Sequence, residues 1–145
     1  MMLMTWILSL VSAIGVTETG IATIYGYPGD KYNPYNQYAC KRRIIAQQGY
    51  RSWMHAVARG VAHRNLPCGQ SVRVCNIRNG LCSDMIVVDR GPYGAKTAHG
   101  WQSRPKKLYR GESYRGILDL LPSAAQKINH NGKEAVTLWS PRKMY

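Results

Sequence analysis

The sequence predicts a small domain of the all-β class. It is mainly β, closed as a barrel, with one or two short helices. Two runs of strand-forming residues, 71–78 and 81–88, meet at Asn79-Gly80, the dipeptide most typical of a two-residue type I′ hairpin turn. The second run ends in MIVV, residues 85–88, and such a continuous apolar run is typical of a strand buried on both faces, as inside a barrel. Residues 134–140, EAVTLWS, alternate and predict a closing strand.

The remaining elements follow from composition and from the placement of glycine and proline. Residues 20–26, GIATIYG, mix β-branched and aromatic residues between glycines and predict the first strand. One short helix is predicted near residues 53–59. A second begins at Pro122, where the missing proline amide is not needed. Residues 95–116 are polar, basic and interrupted by glycine and proline, so they predict a long excursion whose charge faces solvent or ligand.

The length and charge of the chain limit its class. A chain of 145 residues fits one domain, and 20 Lys and Arg against 7 Asp and Glu give a net charge of +13. The surface therefore carries a strong positive field that favours a polyanionic partner. Nucleic acid, an anionic membrane surface and an anionic bacterial wall all qualify. Ten Tyr and four Trp with no Phe favour flat, hydrogen-bonding surfaces that suit sugar rings or bases, although tyrosine also fills cores.

Residues 1–17 are predicted to be a signal peptide or a short hydrophobic anchor, and residues 18–145 to form the barrel domain. The apolar run is too short for a comfortable membrane span, and residues 11–13, VSA, resemble the small-residue cleavage pattern of exported proteins. Because no Lys or Arg precedes the run, a buried N-terminal strand remains an alternative. We therefore expect a secreted or periplasmic location.

The four cysteines favour disulfide bonds, because an even number in a small chain with an export-like start is typical of oxidised domains. Their pairing stays open. Cys68, Cys75 and Cys82 lie seven residues apart, unlike the CxxC pattern of zinc sites. We expect no metal and no cofactor.

Asp89 is the first candidate for a catalytic residue. It ends the second predicted strand of the hairpin and is followed by Arg90-Gly91-Pro92. A carboxylate at a strand end, with a Gly-Pro turn behind it to fix the chain direction, is well placed for chemistry. The alternative is that Asp89 only initiates the turn.

Three segments together resemble the rare lipoprotein A family. They are AHRNLPCGQSVRVCNIRNG (residues 62–80), VVDRGPYG (87–94) and ILDLLPSAA (117–125). The family's domain is a double-psi β-barrel shared with barwin and expansins, so the resemblance implies a six-stranded double-psi barrel over most of the chain. Members with an assigned activity are lytic transglycosylases that cut the glycan strands of peptidoglycan, whereas expansin relatives loosen walls without cutting them.

The resemblance also implies three catalytic residues. His63 matches the histidine of the AH-x-x-LP motif, Asp89 the aspartate of DRGP, and Asp119 the acid that supplies the proton donor in related barrel enzymes. The residues alone leave two alternatives open: Asp119 as a helix-capping residue and His63 as a structural histidine. The family usually has an acid shortly before the AH motif, and this chain has no Asp or Glu there. The link between Asp89 and Asp119 is also longer than the family's.

Five residues are predicted to bind substrate: Arg90, Tyr93, Trp101, Arg104 and Tyr35. The cations would contact the carboxylates and phosphates of a bacterial wall, and the rings would stack on its sugars. For the basic excursion the alternative is a solvated loop. For the tyrosine-rich loop that holds Tyr35 it is packing on the barrel.

These observations support three hypotheses. The first is a secreted, monomeric lytic transglycosylase acting on peptidoglycan glycan strands, with anionic wall polymers as further ligands. A small basic domain with an export-like start also fits a phage lysis enzyme (endolysin). The second is a non-catalytic expansin-like module that binds and loosens walls. The third is a nucleic-acid-binding protein. The export-like start and the even cysteine count argue against it, so no nucleic acid partner is expected.

Overall fold

The computed structural model describes residues 15–27 and 38–141 and forms a closed barrel of six strands with short helices. This confirms the predicted all-β class. The strands in chain order are β1 (Val16–Ile24), β2 (Gly60–Ala62), β3 (Ser71–Asn76), β4 (Cys82–Asp89), β5 (Ala95–Thr97), β6 (Gly100–Gln102), β7 (Ser113–Tyr114), β8 (Leu118–Leu120) and β9 (Lys133–Ser140). The helices are α1 (Lys41–Gln48), α2 (Tyr50–Val57) and α3 (Pro122–Lys127).

The barrel closes in the order β1-β8-β2-β4-β3-β9. Two neighbouring pairs, β1 with β8 and β2 with β4, are parallel, and the other pairs are antiparallel. Closure pairs each barrel strand on both sides and leaves no exposed edge. Alternate side chains point inward and build the core, with exposures of 1% or less for Ala22, Val61, Val72, Val74, Met85, Val87, Leu118, Leu120, Val136 and Leu138.

The first strand begins earlier than predicted. β1 starts at Val16, and its residues Val16 and Thr17 pair with Ser140 and Trp139 of β9. The sequence prediction began this strand at residue 20 because glycines bracket the segment 20–26. Residues 1–14 lie outside the described residues, and so does most of the predicted signal peptide or anchor. No helix within residues 15–27 and 38–141 has the length and apolar character needed to cross a membrane.

The predicted type I′ turn at Asn79-Gly80 is wrong. Only Gly80 of the pair adopts a positive φ, +74°, whereas a type I′ turn requires it at both central residues. The turn is wider: the amide of Asn76 donates to the carbonyl of Leu81 at 2.8 Å, and that of Gly80 to the carbonyl of Asn76 at 2.8 Å. The Asn79 side chain donates to the carbonyl of Ile128 at 3.1 Å, a tertiary contact that holds the wider form.

Two further segments differ from the prediction. The excursion contains strands that were not predicted, because β5 pairs with β6 and β7 in a small antiparallel sheet. Helix α1 was not predicted, and it adds a third helix to the described part of the chain. In α1 only Ile44 is buried, so the segment carries almost no apolar periodicity. The predicted helices correspond to α2 and to α3, which has Pro122 at its start.

All four cysteines form disulfides, Cys40 with Cys68 and Cys75 with Cys82. The two bonds indicate an oxidising, extracytoplasmic environment. They also commit the cysteine sulfurs to covalent bonds. Within residues 15–27 and 38–141 no group of three His, Cys, Asp or Glu side chains is placed to hold a metal ion.

We predict that the two disulfides stabilise the fold unequally. The bond Cys40–Cys68 spans 28 residues and Cys75–Cys82 spans 7. Since the loop entropy removed from the unfolded chain grows with loop length, replacing the first pair by alanine should cost about 3 to 4 kcal/mol and the second about 2 kcal/mol. Urea denaturation of the two double variants measures this difference. A larger loss from the short loop would contradict it.

Candidate active site

The two aspartates of the motifs lie on either side of strand β2. Its last residue, Ala62, is the register partner of Asp119 on β8 and of Asp89 on β4. Because neighbouring strands are about 4.8 Å apart, the two aspartate Cα atoms are on the order of 10 Å apart across one strand. The flanking residues Leu118 and Leu120 are buried in the core, so alternation directs Asp119 to the outer face of the barrel.

A β-bulge directs Asp89 to the same face. Val61 is the partner of Val87, but the next residue of β2, Ala62, is the partner of Asp89, so Val88 is the extra residue. A bulge shifts the side-chain alternation by one residue, and both Val87 and Val88 are accordingly buried. Without the shift Ala62 would oppose Val88. The bulge therefore brings the second carboxylate beside the first.

Asp119 is a mostly buried carboxylate with one direct side-chain donor. The hydroxyl of Thr23, its register partner on β1, donates to Oδ1. Burial raises the pKa of Asp119 and the negative charge of Asp89 raises it further, whereas the Thr23 hydrogen bond and the positive charge of Arg64 lower it. The net direction is upward. Asp119 thus keeps its proton to a higher pH than an exposed aspartate does.

Asp89 is held by two donors. The Tyr25 hydroxyl donates to Oδ2 at 3.1 Å, and the backbone amide of Ala39 donates to Oδ1 at 2.9 Å. Burial and the neighbouring Asp89 raise the pKa of Tyr25, so its hydroxyl remains a donor. The next residue, Cys40, donates its amide to the backbone of β4 at 3.1 Å and is bonded to Cys68. The disulfide thereby holds the Ala39 amide at the carboxylate.

His63 follows β2 directly, and its buried ring makes hydrogen bonds within the fold. Its ring is 2% exposed. Nδ1 accepts the amides of Asn65 and Leu66, both at 3.0 Å, so Nε2 carries the proton and donates to Glu18 at 2.7 Å. Both ring nitrogens are therefore engaged. This arrangement fits the structural alternative for His63, and its catalytic role stays a prediction.

Arg64 fastens both ends of the excursion between Asp89 and Asp119. Its guanidinium donates to the carbonyl of Pro92 at 2.6 Å and to that of Gly116 at 2.7 Å. The guanidinium carbon also lies 4.1 Å from the centre of the Tyr114 ring, a cation–π contact. Burial lowers the pKa of Arg64, but an arginine remains charged at neutral pH.

Three of the predicted substrate residues lie in the segment after Asp89, and one of them, Tyr93, lies near Asp119. The position of a Cβ on Gly91 would be 3.7 Å from Oδ2 of Asp119 and 3.9 Å from the Tyr93 ring. Arg104 lies over that ring at 5.7 Å. Trp101, 54% exposed, packs so closely on Gly94 that a Cβ there would overlap its ring. The Tyr93 ring therefore lies near Asp119, Arg104 lies over that ring, and Trp101 packs on the same segment at Gly94.

The other two predicted substrate residues have different outcomes. Arg90 donates to the carbonyl of His63 at 3.2 Å and to that of Leu66, and a second nitrogen lies 3.4 Å from the sulfur of Cys68. Much of its hydrogen-bonding capacity therefore holds the chain between β2 and β3. Tyr35 lies outside the described residues.

Sequence reasoning missed four groups that shape the site: Thr23, Tyr25, Arg64 and the amide of Ala39. A signal existed for the first two, because residues two apart on a strand share a face. Arg64 lies just beyond the end of β2, so strand alternation gave no signal for its position near Asp119. The Ala39 amide carries no local signal, since a disulfide between distant residues positions it.

We predict a pH-dependent stabilisation when Asp119 is replaced by asparagine. Between the ordinary aspartate pKa of about 3.9 and its raised folded pKa, the folded state holds a proton that the unfolded chain releases. The contribution of Asp119 to stability therefore falls as pH rises through this window. Asparagine cannot ionise and still accepts from Thr23. Urea titrations give the free energy of unfolding of each protein. We expect Asp119→Asn to gain stability relative to the wild type as the pH rises from acid to neutral. A pH-independent difference would refute this.

Comparison with known proteins leaves family membership open. No family model matches the chain, and no curated protein matches it significantly. The closed six-stranded barrel is the fold of the chain, and its resemblance to the rare lipoprotein A family remains a prediction carried by the three motifs.

Proposed function

We propose that this protein is a peptidoglycan-cleaving lytic transglycosylase of the rare lipoprotein A type. One observation carries the proposal: Asp119 and Asp89 share an outer face of the barrel across β2, and burial raises the pKa of Asp119. Cleavage of a glycosidic bond calls for a carboxyl group that is still protonated and for stabilisation of positive charge nearby. The three sequence motifs and the net charge of +13 also support the proposal. So do the two disulfides, which indicate an oxidising environment.

In this proposal Asp119 acts first as general acid and then as general base. Its proton passes to the glycosidic oxygen as the bond from that oxygen to C1 breaks, leaving an oxocarbenium-like centre. The 6-hydroxyl oxygen of the same muramic acid then bonds to C1, and its proton passes to the Asp119 carboxylate. The product ends in a 1,6-anhydro ring and no water is consumed. Asp89, held by Tyr25 and the Ala39 amide, stabilises the positive centre.

The glycan would lie along the face that borders Asp119. Tyr93 and Trp101 offer rings for stacking on sugars, and Arg104 offers a cation for their acidic substituents. A pocket of about 580 Å³ continues this face between β1 and the excursion, with Arg64 and Tyr114 in its lining. Such a surface suits a polymer with flat rings and negative charge.

A second candidate is an expansin-like module that binds walls without turnover. Among the described residues, Asp89 is the only acid that affects the pKa of Asp119, and the acid that the family usually carries before the AH motif is absent. A site with fewer carboxylates than the family's favours binding over cleavage. The two candidates differ in whether soluble products are released.

We predict that the purified protein releases anhydro-muropeptides from sacculi and that Asp119→Asn lowers the rate by a factor of about 10² to 10⁴, the range for loss of a general acid–base group. Asp89→Asn should also lower it. Asp84→Asn is the matched control, because Asp84 is exposed and pairs with Arg73 on the hairpin. Mass spectrometry of the soluble fraction identifies the products. Since the acid must be protonated, activity should fall as pH rises above the raised pKa of Asp119.

Other outcomes would point elsewhere. Products with reducing ends would mean hydrolysis in place of transglycosylation. Cosedimentation with sacculi and no soluble product would favour the expansin-like module. Tight DNA or RNA binding with a steep salt dependence, without affinity for sacculi, would favour the nucleic-acid hypothesis.

A further inference from the structure

The excursion between the two aspartates carries a surface that the proposed function does not use. We call residues 106–111, KKLYRG, the basic tip. Its three cations, Lys106, Lys107 and Arg110, are exposed. Within residues 15–27 and 38–141 none of these side chains forms a hydrogen bond or an ion pair. Their charges are therefore left to solvent or to an external anion.

The one acid of the excursion does not neutralise the basic tip. Glu112 is the only Asp or Glu between residues 95 and 116, against six Lys and Arg. Its carboxylate accepts the backbone amide of Tyr109 at 2.8 Å and that of Ala98, in the turn between β5 and β6, at 2.6 Å. These two hydrogen bonds lower the pKa of Glu112, so it stays ionised and holds the tip against the small sheet. The tip is thus ordered before any ligand binds, which reduces the entropy that binding costs.

The basic tip is convex. A Cβ placed on Gly111 would have no described atom within 4 Å apart from its chain neighbours, so this end of the tip is open. Tyr109 is 66% exposed, the highest value among the large hydrophobic side chains of the described ranges. The amino nitrogen of Lys107 lies 5.4 Å from the centre of that ring. Leu108 turns inward and lines the pocket between β1 and the excursion. The tip therefore presents cations and one aromatic ring to the outside.

Shape and charge together favour a membrane surface over a linear polyanion. A polymer strand is usually bound in a groove that follows its backbone, whereas the basic tip is convex. A bilayer is a broad surface, against which lysines act as flexible point charges. Tyrosine, with an apolar ring and a polar hydroxyl, is enriched at the boundary between headgroups and hydrocarbon. The two disulfides indicate an extracytoplasmic environment, which disfavours nucleic acid as the partner.

We propose that the basic tip docks the protein on a bilayer that contains anionic phospholipids. The three cations lie among the phosphate headgroups, and the Tyr109 ring lies at their boundary with the acyl chains. Docking requires no glycan, so it does not depend on the proposed function. Because Arg64 fastens both ends of the excursion and its charge acts on Asp119, a docked tip holds the candidate active site close to the membrane.

The test is cosedimentation of the full chain with two kinds of vesicle, phosphatidylcholine alone and an equal mixture with phosphatidylglycerol. The neutral vesicles measure any contribution of the apolar run in residues 1–17, which does not require lipid charge. The tip variant replaces its three cations: Lys106→Gln, Lys107→Gln and Arg110→Gln. The matched control removes the same charge from three exposed positions outside the excursion: Arg59→Gln, Lys127→Gln and Lys133→Gln.

We expect the wild-type chain to bind anionic vesicles more tightly than neutral ones, with an affinity that falls as salt rises. Each cation near an anionic surface contributes about fivefold in affinity, so the tip variant should bind anionic vesicles about 100-fold more weakly. The control should lose less than about threefold, because its cations lie away from the docked surface. Tyr109→Ala should also weaken binding, with the salt dependence unchanged because no charge is removed.

Several results would overturn the proposal. They are no binding to anionic vesicles, equal binding to neutral and anionic vesicles, and a loss in the control as large as in the tip variant. Tip-dependent binding of double-stranded DNA or inorganic polyphosphate, tighter than vesicle binding, would identify a linear polyanion as the partner and would also overturn it. Failure of the proposed function has a separate signature, the absence of anhydro products from sacculi, and leaves vesicle binding measurable.

Discussion

The rest of the structure depends on the close packing around the three-residue strand β2. It pairs with β8 on one side and with β4 on the other, so it sets the separation of the two strands that carry the aspartates. A Cβ on Gly60 would lie 2.6 Å from the Val88 side chain and 2.9 Å from that of Leu121, and only glycine fits there. Ala62, 1% exposed, fills the space between the aspartates with a single methyl group. Small residues in β2 thus allow two acidic side chains to converge on a well-packed core.

The electrostatics of the site are decided locally, although the chain as a whole is strongly basic. A net charge of +13 would lower the pKa of any carboxyl group if all charges acted at full strength. The pKa of Asp119 is nevertheless raised, with burial as the largest cause and only Arg64 among the cations opposing it. Exposed cations farther away are screened by water and salt within about 10 Å. The same positive charge remains effective at the surface, and under the proposed function it would attract an anionic polymer to a site that keeps one acid protonated.

The sequence predicted elements whose signal is local and missed those that depend on distant contacts. The apolar run at 85–88, the alternation of the last strand and the proline at the start of α3 each specify their structure within a few residues. The bulge at Val88 cannot be recognised in this way, because it exists only in the pairing of β4 with β2. Helix α1 is anchored by a disulfide to Cys68 and lacks periodicity of its own. The two aspartates were identified as candidates by their motifs. Alternation places Thr23 and Tyr25 on one face of the first strand, but only the structure shows that this face meets the aspartates.

The contacts of Arg64 have a consequence for how such a protein can vary. One guanidinium holds the carbonyls of Pro92 and Gly116, so the excursion leaves the barrel and returns to it at the same point. A segment with adjoining ends behaves as an independent insertion, whose length and composition can change without strain on the strands that carry it. The barrel and its carboxylates then form a constant platform, and the excursion becomes an exchangeable specificity element. Under the proposed function, grafting a different loop between residues 92 and 116 would be a direct route to redirecting the chemistry to another polymer.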